Sequence, residues 1–333
     1  MNKPQCSVII VSYNNFGTTT GPCLQSLKQE TADLEIIIVD NNSDQPTRNA
    51  LKTAAEQDQR IRLIMKDTNS GYSGGNNTGA RESSSDILLL LNSDTEVPPG
   101  AIPRLVELMD QNPDWSMLGP ISNQAGNDQQ IHTIGTTVEE ILDEGASWCA
   151  HSHDSHYPTD ILHFFCVVIR KEVYDQFNGL DEEFGLGYYE DTDFNYRAVK
   201  DGLKLMVTED VFIYHRGSGS FSKTSVVVKK MVKRNKKLFQ KKQGHKHNSA
   251  HWRLKNLAAM ARYIDQANTD DRLADYCYKF TNRQSMARNL LPNSPIKRFF
   301  YLRQLKTIEK NFQLRINALN SASNPTSSPP NQS

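Results

Sequence analysis

The stretch Ile87-Leu88-Leu89-Leu90-Leu91-Asn92-Ser93-Asp94 decides the fold. A short aliphatic run without polar alternation ends abruptly in small polar residues and a carboxylate. Such a run reads as a strand buried on both faces, as in a parallel sheet. Open α/β sheets bind ligands beyond the C-terminal ends of their strands, which is where Asp94 falls. A carboxylate there is a hard oxygen ligand, suited to Mg²⁺ or Mn²⁺ holding phosphates. Taken alone, the segment is equally a strand followed by a polar turn.

Its neighbours repeat the pattern. Ser7-Val8-Ile9-Ile10-Val11-Ser12-Tyr13-Asn14 and Glu35-Ile36-Ile37-Ile38-Val39-Asp40-Asn41-Asn42-Ser43 are aliphatic runs ending in polar turns, and Ile61-Arg62-Leu63-Ile64-Met65 is a weaker strand. Residues 18–29 and 45–57 between them suit helices. Alternation of this kind implies βαβ units and a parallel sheet, with polar and acidic residues delivered to one edge.

A chain of 333 residues can bury a large core and carry an appendage. Its 38 basic and 38 acidic residues balance, which argues against a generally basic nucleic-acid binder. Cys6, Cys23, Cys149, Cys166 and Cys277 are odd in number, scattered and without a CxxC pair, so they read as reduced thiols of a cytoplasmic protein. The first apolar run has strand length, not that of a signal peptide, and no run approaches the roughly 20 residues that span a bilayer.

The first strand-to-helix turn, Ser12 to Gly17, lacks GxGxxG, and no GxxxxGK[ST] occurs, so dinucleotide and P-loop folds are disfavoured. The glycine-rich element is instead Asn69-Ser70-Gly71-Tyr72-Ser73-Gly74-Gly75-Asn76-Asn77-Thr78-Gly79-Ala80-Arg81. It reads as a loop that approaches a ligand and leads into a helix whose N-terminus would favour phosphate, or as a plain flexible loop.

Ser12-Tyr13-Asn14, Asp40-Asn41-Asn42-Ser43, the glycine-rich run and Asn92-Ser93-Asp94 together resemble the N-terminal half of family 2 glycosyltransferases. Three further segments resemble its second half. Phe164 to Val173 is similar to the acceptor-side strand and helix. Asn178-Gly179-Leu180-Asp181-Glu182-Glu183-Phe184 is similar to the G-x-D-E-x-F turn. Tyr189-Glu190-Asp191-Thr192-Asp193 is similar to the Glu-Asp motif. The resemblance covers about residues 5–245, and the rhamnosyltransferase-like subgroup of surface-polysaccharide assembly is nearest in pattern. It implies a GT-A fold, a mostly parallel central sheet flanked by helices, with a C-terminal helical appendage.

The resemblance also implies roles. Inverting transfer needs a base for the acceptor hydroxyl, assigned to Asp191, and neutralisation of the leaving diphosphate through Mn²⁺ or Mg²⁺, assigned to Asp94 with His215. Ser12, Tyr13, Asn14, Asp40, Asn42, Gly71, Asn76, Asn92 and Ser93 would bind the nucleotide sugar. Cys166 and Glu190 would lie on the acceptor side. A helix starting at Glu190 would favour charged carboxylates through its dipole. Asp40 would accept from a pyrimidine N3–H, which favours UDP or dTDP donors. The chain departs from the family pattern in two places: Asn92-Ser93-Asp94 offers one carboxylate, and Cys166 stands where glycine or alanine is common.

The expected organisation is a catalytic domain over 1–222, with a nucleotide-sugar half about 1–95 and an acceptor half about 96–222. A helical region over 223–319 and a disordered tail over 320–333 follow. Arg216 to Ser220 reads as a mobile loop able to close over the diphosphate. His132, Trp148, His151, His153 and His156 sit in a segment, about 122–157, read as a polar loop near the acceptor in preference to a zinc site, since no second pair at zinc-site spacing is evident. Residues 226–244 read as a basic amphipathic helix, either solvated or touching anionic lipid at the inner face of the cytoplasmic membrane. The functional expectation is transfer of a sugar to a surface glycan or lipid-linked saccharide, with no nucleic acid partner. The alternatives are a catalytically silent sugar-nucleotide-binding subunit and a sugar nucleotidyltransferase, whose Gly- and Arg/Lys-rich first turn is absent.

Overall fold

The computed structural model describes residues 3–217, 226–244, 251–267 and 272–323. The chain divides into two units, Met1–Asn248 and Ser249–Ser333. The first is built on an eight-stranded sheet of order β3-β2-β1-β4-β8-β6-β9-β7. Its strands are β1 (Cys6–Ser12), β2 (Leu34–Asp40), β3 (Ile61–Met65), β4 (Ile87–Asn92), β6 (Trp115–Ile121), β7 (His156–Thr159), β8 (Cys166–Arg170) and β9 (Lys204–Phe212). The β3-β2-β1-β4 half is parallel, β8 runs antiparallel between β4 and β6, and β6 pairs parallel with β9.

The aliphatic runs are buried on both faces, as their lack of alternation requires. In β4, Leu88, Leu89 and Leu90 have no exposed surface. Truncating such a residue to alanine costs about 2–5 kcal/mol. Register brings the polar strand ends level: Ser12 lies opposite Asp40, and Val11 opposite Asn92. The edge expected to bind ligand therefore exists. Helices α1 (Thr20–Leu27) and α2 (Gln45–Gln57) fill the first crossovers, and Asp44 caps α2 by accepting from the Thr47 N–H.

The glycine-rich segment differs from the loop expected. It is itself a helix, α3 (Gly71–Glu82). Its glycines serve close packing on β1. A Cβ on Gly75 would stand 2.7 Å from the Val11 side chain, and one on Gly79 would stand 2.4 Å from that of Ile9. Tertiary packing here overrides weak helix propensity.

The segment 122–157 is not one polar loop either. It contains α5 (Val138–Ala150), started by a Thr137/Glu140 capping box and buried through Trp148, which has no exposed surface. Helix α4 (Ala101–Gln111) precedes β6, and α6 (Lys171–Gln176) and α7 (Glu190–Lys200) follow β8. Two short strands, β5 (Thr95–Glu96) and β10 (Tyr214–His215), form a separate antiparallel ladder.

The basic helix α8 (Val226–Gln243) belongs to the first unit rather than to the C-terminal helices with which its sequence groups it. Its buried side chains are Val228, Asn235 and Phe239, and Phe239 meets the rings of Tyr189 and Tyr196.

The second unit contains α9 (His251–Gln266), α10 (Leu273–Asn289) and α11 (Pro295–Ser323). Met260, Phe280, Tyr301, Leu305 and Phe312 form its core, with the Phe280 and Phe312 rings stacked at 3.7 Å. Helix α11 continues through Asn320 to Ser323, where a disordered tail was expected, because Ile316 and Leu319 still pack on that core. The rest of that tail, and 218–220 of the expected closing loop, lie outside the described residues. Among the described residues, no helix is long and apolar enough to cross a membrane.

Candidate active site

A cavity of about 740 Å³ opens at the strand-end edge. One wall carries Asn92, Ser93, Asp94 and His215; another carries Tyr188, Glu190 and Asp191.

Asp94 follows directly on β4, and the two-stranded ladder aligns it with a segment 121 residues later. His215 lies opposite Thr95, and the Arg216 N–H donates to the Asp94 carbonyl at 2.9 Å. Asn123 clamps His215 from behind. Its Oδ1 accepts from the His215 N–H at 2.8 Å, and its Nδ2 donates to the His215 carbonyl at 3.0 Å. The His215 ring stacks on Phe165 at 5.3 Å. Its Nδ1 faces the Gln124 carbonyl at 2.7 Å, an acceptor, so the proton sits on Nδ1. That leaves the Nε2 lone pair 3.4 Å from Asp94 Oδ1 and 3.5 Å from Asn92 Nδ2. A histidine whose other nitrogen donates to a backbone carbonyl is oriented as metal-ligating histidines are. The donor set, one carboxylate and one imidazole with open space beside them, fits Mn²⁺ or Mg²⁺ completed by phosphate oxygens.

The cavity lining continues at the start of α7. Glu190 is 7 % exposed, and its Oε2 has no hydrogen-bond partner. Burial, reinforced by the neighbouring Asp191 charge, pushes the Glu190 carboxyl up to about 8. The same two carboxyls, after burial, push the Tyr72 phenol well above its usual range. Asp191 Oδ1 accepts from the Thr192 N–H at 2.6 Å, and its Oδ2 stands 3.7 Å from His163 Nδ1. Asp193 faces away from the cavity. It is 1 % exposed, binds Arg197 at 2.8 Å and accepts from Gln243 of α8 at 2.6 Å.

The approach to α7 is strained. Tyr188 and Tyr189 have φ of 71° and 79°, conformations rare for bulky side chains. Asn235, fully buried on α8, holds this turn. Its Nδ2 lies 2.7 Å from the Phe184 carbonyl and 2.9 Å from those of Gly187 and Tyr188. Gly71 closes the other side: a Cβ there would fall 2.0 Å from the Gly185 carbonyl. Asn41 links the two regions, donating to the Gly71 carbonyl and accepting from the Ser70 N–H.

Of the residues expected in the site, the cavity brings together Tyr13, Gly71, Asn92, Ser93, Asp94, Glu190, Asp191 and His215. The other six lie elsewhere. Ser12 is buried against Thr20 at 2.8 Å. Asn76 donates to the Tyr72 carbonyl within α3. Asn14 and Asn42 occupy left-handed turns beyond β1 and β2. Asp40 is fully buried, accepting from the Ser43 N–H at 3.2 Å and pairing with Arg48 at 3.5 Å. Cys166 corrects the acceptor-side expectation. It packs opposite Leu91 in the β4–β8 ladder with no exposed surface, and burial pushes its thiol upward.

His163, Asn123, Gln124 and Asn235 were not reached from sequence. Only His163, just before the Phe164-Phe165 run, carried a local signal. A second acidic cluster, Asp154, His156 and Asp210, lies outside the cavity with ligand atoms within 4.8 Å of one another. Arg104 already bridges Asp154 at 2.6 Å and Asp210 at 2.8 Å, so a guanidinium stands where a cation would.

A mixed sheet with a carboxylate at the end of β4 and a second acidic pair at a helix start across the cleft defines a GT-A glycosyltransferase fold. Residues 1–349 of S. aureus TarS share it, with a TM-score of 0.51 and 16 % identity over 94 % of this chain and 82 % of that one. Residues 7–177 match the family described as Glycosyl transferase family 2, and the chain belongs to that family. Relatives include the uncharacterized glycosyltransferase EpsJ of Bacillus subtilis, 25 % identical over 66 % of this chain. Another is the low-salt glycan biosynthesis hexosyltransferase Agl10 of Haloferax volcanii, 30 % identical over 60 % of this chain. The chain spans 63 % of the length of each of these two relatives.

Proposed function

We propose that this chain is an inverting, metal-dependent glycosyltransferase. It would move a sugar from a UDP- or dTDP-linked donor, dTDP-rhamnose included, to a hydroxyl of a growing surface glycan or lipid-linked saccharide. The observation that carries this reading is that two groups, Asp94 with His215 and Glu190 with Asp191, line one cavity. The family of the chain and the glycan-building relative Agl10 support it.

Asp94 and His215 Nε2 would hold Mn²⁺ or Mg²⁺, which supplies neutralisation of the diphosphate when bound. Asp191 accepts the proton of the acceptor hydroxyl. The freed oxygen attacks the anomeric carbon opposite the diphosphate, and the breaking C–O bond leaves its electron pair on the diphosphate. Glu190 sits beside Asp191 as the carboxyl held neutral by burial. A neutral carboxyl can donate a hydrogen bond to a sugar hydroxyl, a division of roles that adjacent carboxyls commonly show. For a pyrimidine donor, Asp40 would exchange its Arg48 partner, 3.5 Å from Oδ2, for the N3–H. Asp193, tied to Arg197 and Gln243, positions α7.

The test is release of nucleoside diphosphate from a panel of sugar nucleotides, with and without Mn²⁺, and assignment of the product anomer by NMR. We expect metal-dependent turnover of a UDP- or dTDP-sugar with inversion. Tight binding of a nucleoside diphosphate without turnover of any donor and acceptor pair would instead identify a silent binding subunit. Preference for GDP would remove the donor assignment.

A further inference from the structure

The chain is neutral as a whole, but its charges are divided unevenly. Of the 38 basic and 38 acidic residues, 25 and 33 fall in Met1–Asn248, leaving 13 and 5 in Ser249–Ser333. The second unit therefore carries a formal charge of +8 against −8 on the first. Helix α11 holds one carboxylate, Glu309, and that is engaged by Arg288 at 3.1 Å.

The start of α11, Pro295-Ile296-Lys297-Arg298-Phe299-Phe300, combines this charge with exposed apolar surface. Ile296, Phe299 and Phe300 are 72 %, 63 % and 61 % exposed, and their i, i+3, i+4 spacing places them on one helix face. They are the exposed phenylalanines among the described residues. The face continues into an apolar groove lined by Leu254, Leu257 and Ala258 of α9 with Phe300 and Ile308 of α11. Arg303 lines the same groove, and Lys297 and Arg298 are exposed beside the rings.

We infer that this face docks on an anionic lipid bilayer, with Ile296, Phe299 and Phe300 seated at the boundary of headgroups and acyl chains and Lys297 and Arg298 meeting lipid phosphates. Aromatic and aliphatic side chains beside cations on an exposed helix face suit that interface. The excess of cations makes the unit complementary to an anionic surface. Helix α8 is also basic, but its Phe239 and Asn235 are committed to packing within the first unit, so it does not insert. The inference does not depend on the transferase reading, because it concerns another face and another unit.

The test is flotation of the full chain with vesicles of phosphatidylcholine alone or mixed with phosphatidylglycerol. Wild type should float with the anionic vesicles and be released by salt. F299S/F300S should lower partition about ten-fold or more, given what burial of one aromatic ring is worth. K297E/R298E should lower it about five-fold for each cation removed. K229E/K233E on α8 should change it little. F299W retains an aromatic ring, and its added emission should shift to the blue only with anionic vesicles. Absence of flotation, or flotation unaffected by either α11 double variant, would overturn the inference. So would binding to an oligonucleotide or polyaspartate that F299S/F300S abolishes in parallel, since that would mark a soluble polyanion as the partner.

Discussion

The two acidic corners of the cavity are built by different means. The Asp94 corner rests on paired main chain: β4 delivers the carboxylate and the β5–β10 ladder sets His215 opposite Thr95, with the Asn123 side chain clamping the His215 backbone. The Asp191 corner is held by a distant side chain. Its turn contains two left-handed tyrosines, and Asn235 of α8 secures three of the turn's carbonyls. The first corner should tolerate substitutions around it, Asn123 excepted, because the ladder's main-chain hydrogen bonds do not depend on side-chain identity. The second should fail when a single remote amide is lost.

The largest effect should come from the second corner itself. Asp191→Asn keeps the shape but cannot accept a proton, so turnover should fall by about 10²–10⁴-fold while donor affinity changes little. Steady-state rates with calorimetric affinities check this. Loss of donor binding and thermal stability together would make Asp191 structural.

Asp94→Ala probes the first corner. Outer partners of metal ligands alone are worth about 10–100-fold in metal affinity. Removing the proposed direct ligand should therefore weaken Mn²⁺-dependent binding of the nucleoside diphosphate by ~10²-fold or more, with the melting temperature nearly unchanged. Undiminished metal-dependent affinity in the titration would reject the assignment.

Asn235→Ala sharpens the contrast most directly. It leaves buried carbonyls without a donor, each costing about 1–3 kcal/mol, and removes the restraint on two strained residues. We expect lower thermal stability and a fall in turnover larger than the loss of nucleotide affinity. Equal loss of both would mean that the two corners are not supported independently.

The smallest effect concerns Glu190. Its folded-state pKa of about 8 lies above the ordinary value of 4.5, so its contribution to stability is full below pH 4.5 and is lost as pH rises through 8. Glu190→Gln cannot ionise and escapes that loss. Relative to wild type, the variant should gain stability between pH 5 and pH 8.5, approaching a few kcal/mol at the upper end. Melting curves of both proteins across that range check the sign. A constant difference would mean that Glu190 is not held neutral.

The half of the sheet containing β1, β2 and β4 was legible because strands buried on both faces must be continuously apolar. β6 was not, since Trp115-Ser116-Met117-Leu118-Gly119-Pro120-Ile121 carries the residues least suited to a strand interior. The structure accommodates Pro120 at a register irregularity, and Gly119 lies against Gln129 and Leu162. The site was legible where a motif ends a strand or starts a helix, as at Asp94 and Asp191. Motif segments also mix lining residues with supports, so Ser12, Asp40, Asn76 and Cys166 turned out buried away from the cavity. Asn235 joins the site only through tertiary packing, which no local spacing announces.

The ladder between β5 and β10 also bears on how the protein comes to life on the ribosome. Asp94 is synthesised early, but its partner His215 and the Asn235 strut emerge more than a hundred residues later. Contacts that close such long loops form late, after the locally connected β1 to β4 region can already have collapsed. A nascent chain halted before residue 215 can thus hold much of its parallel sheet while lacking both corners of the cavity. Binding competence would then mark completed synthesis of the first unit.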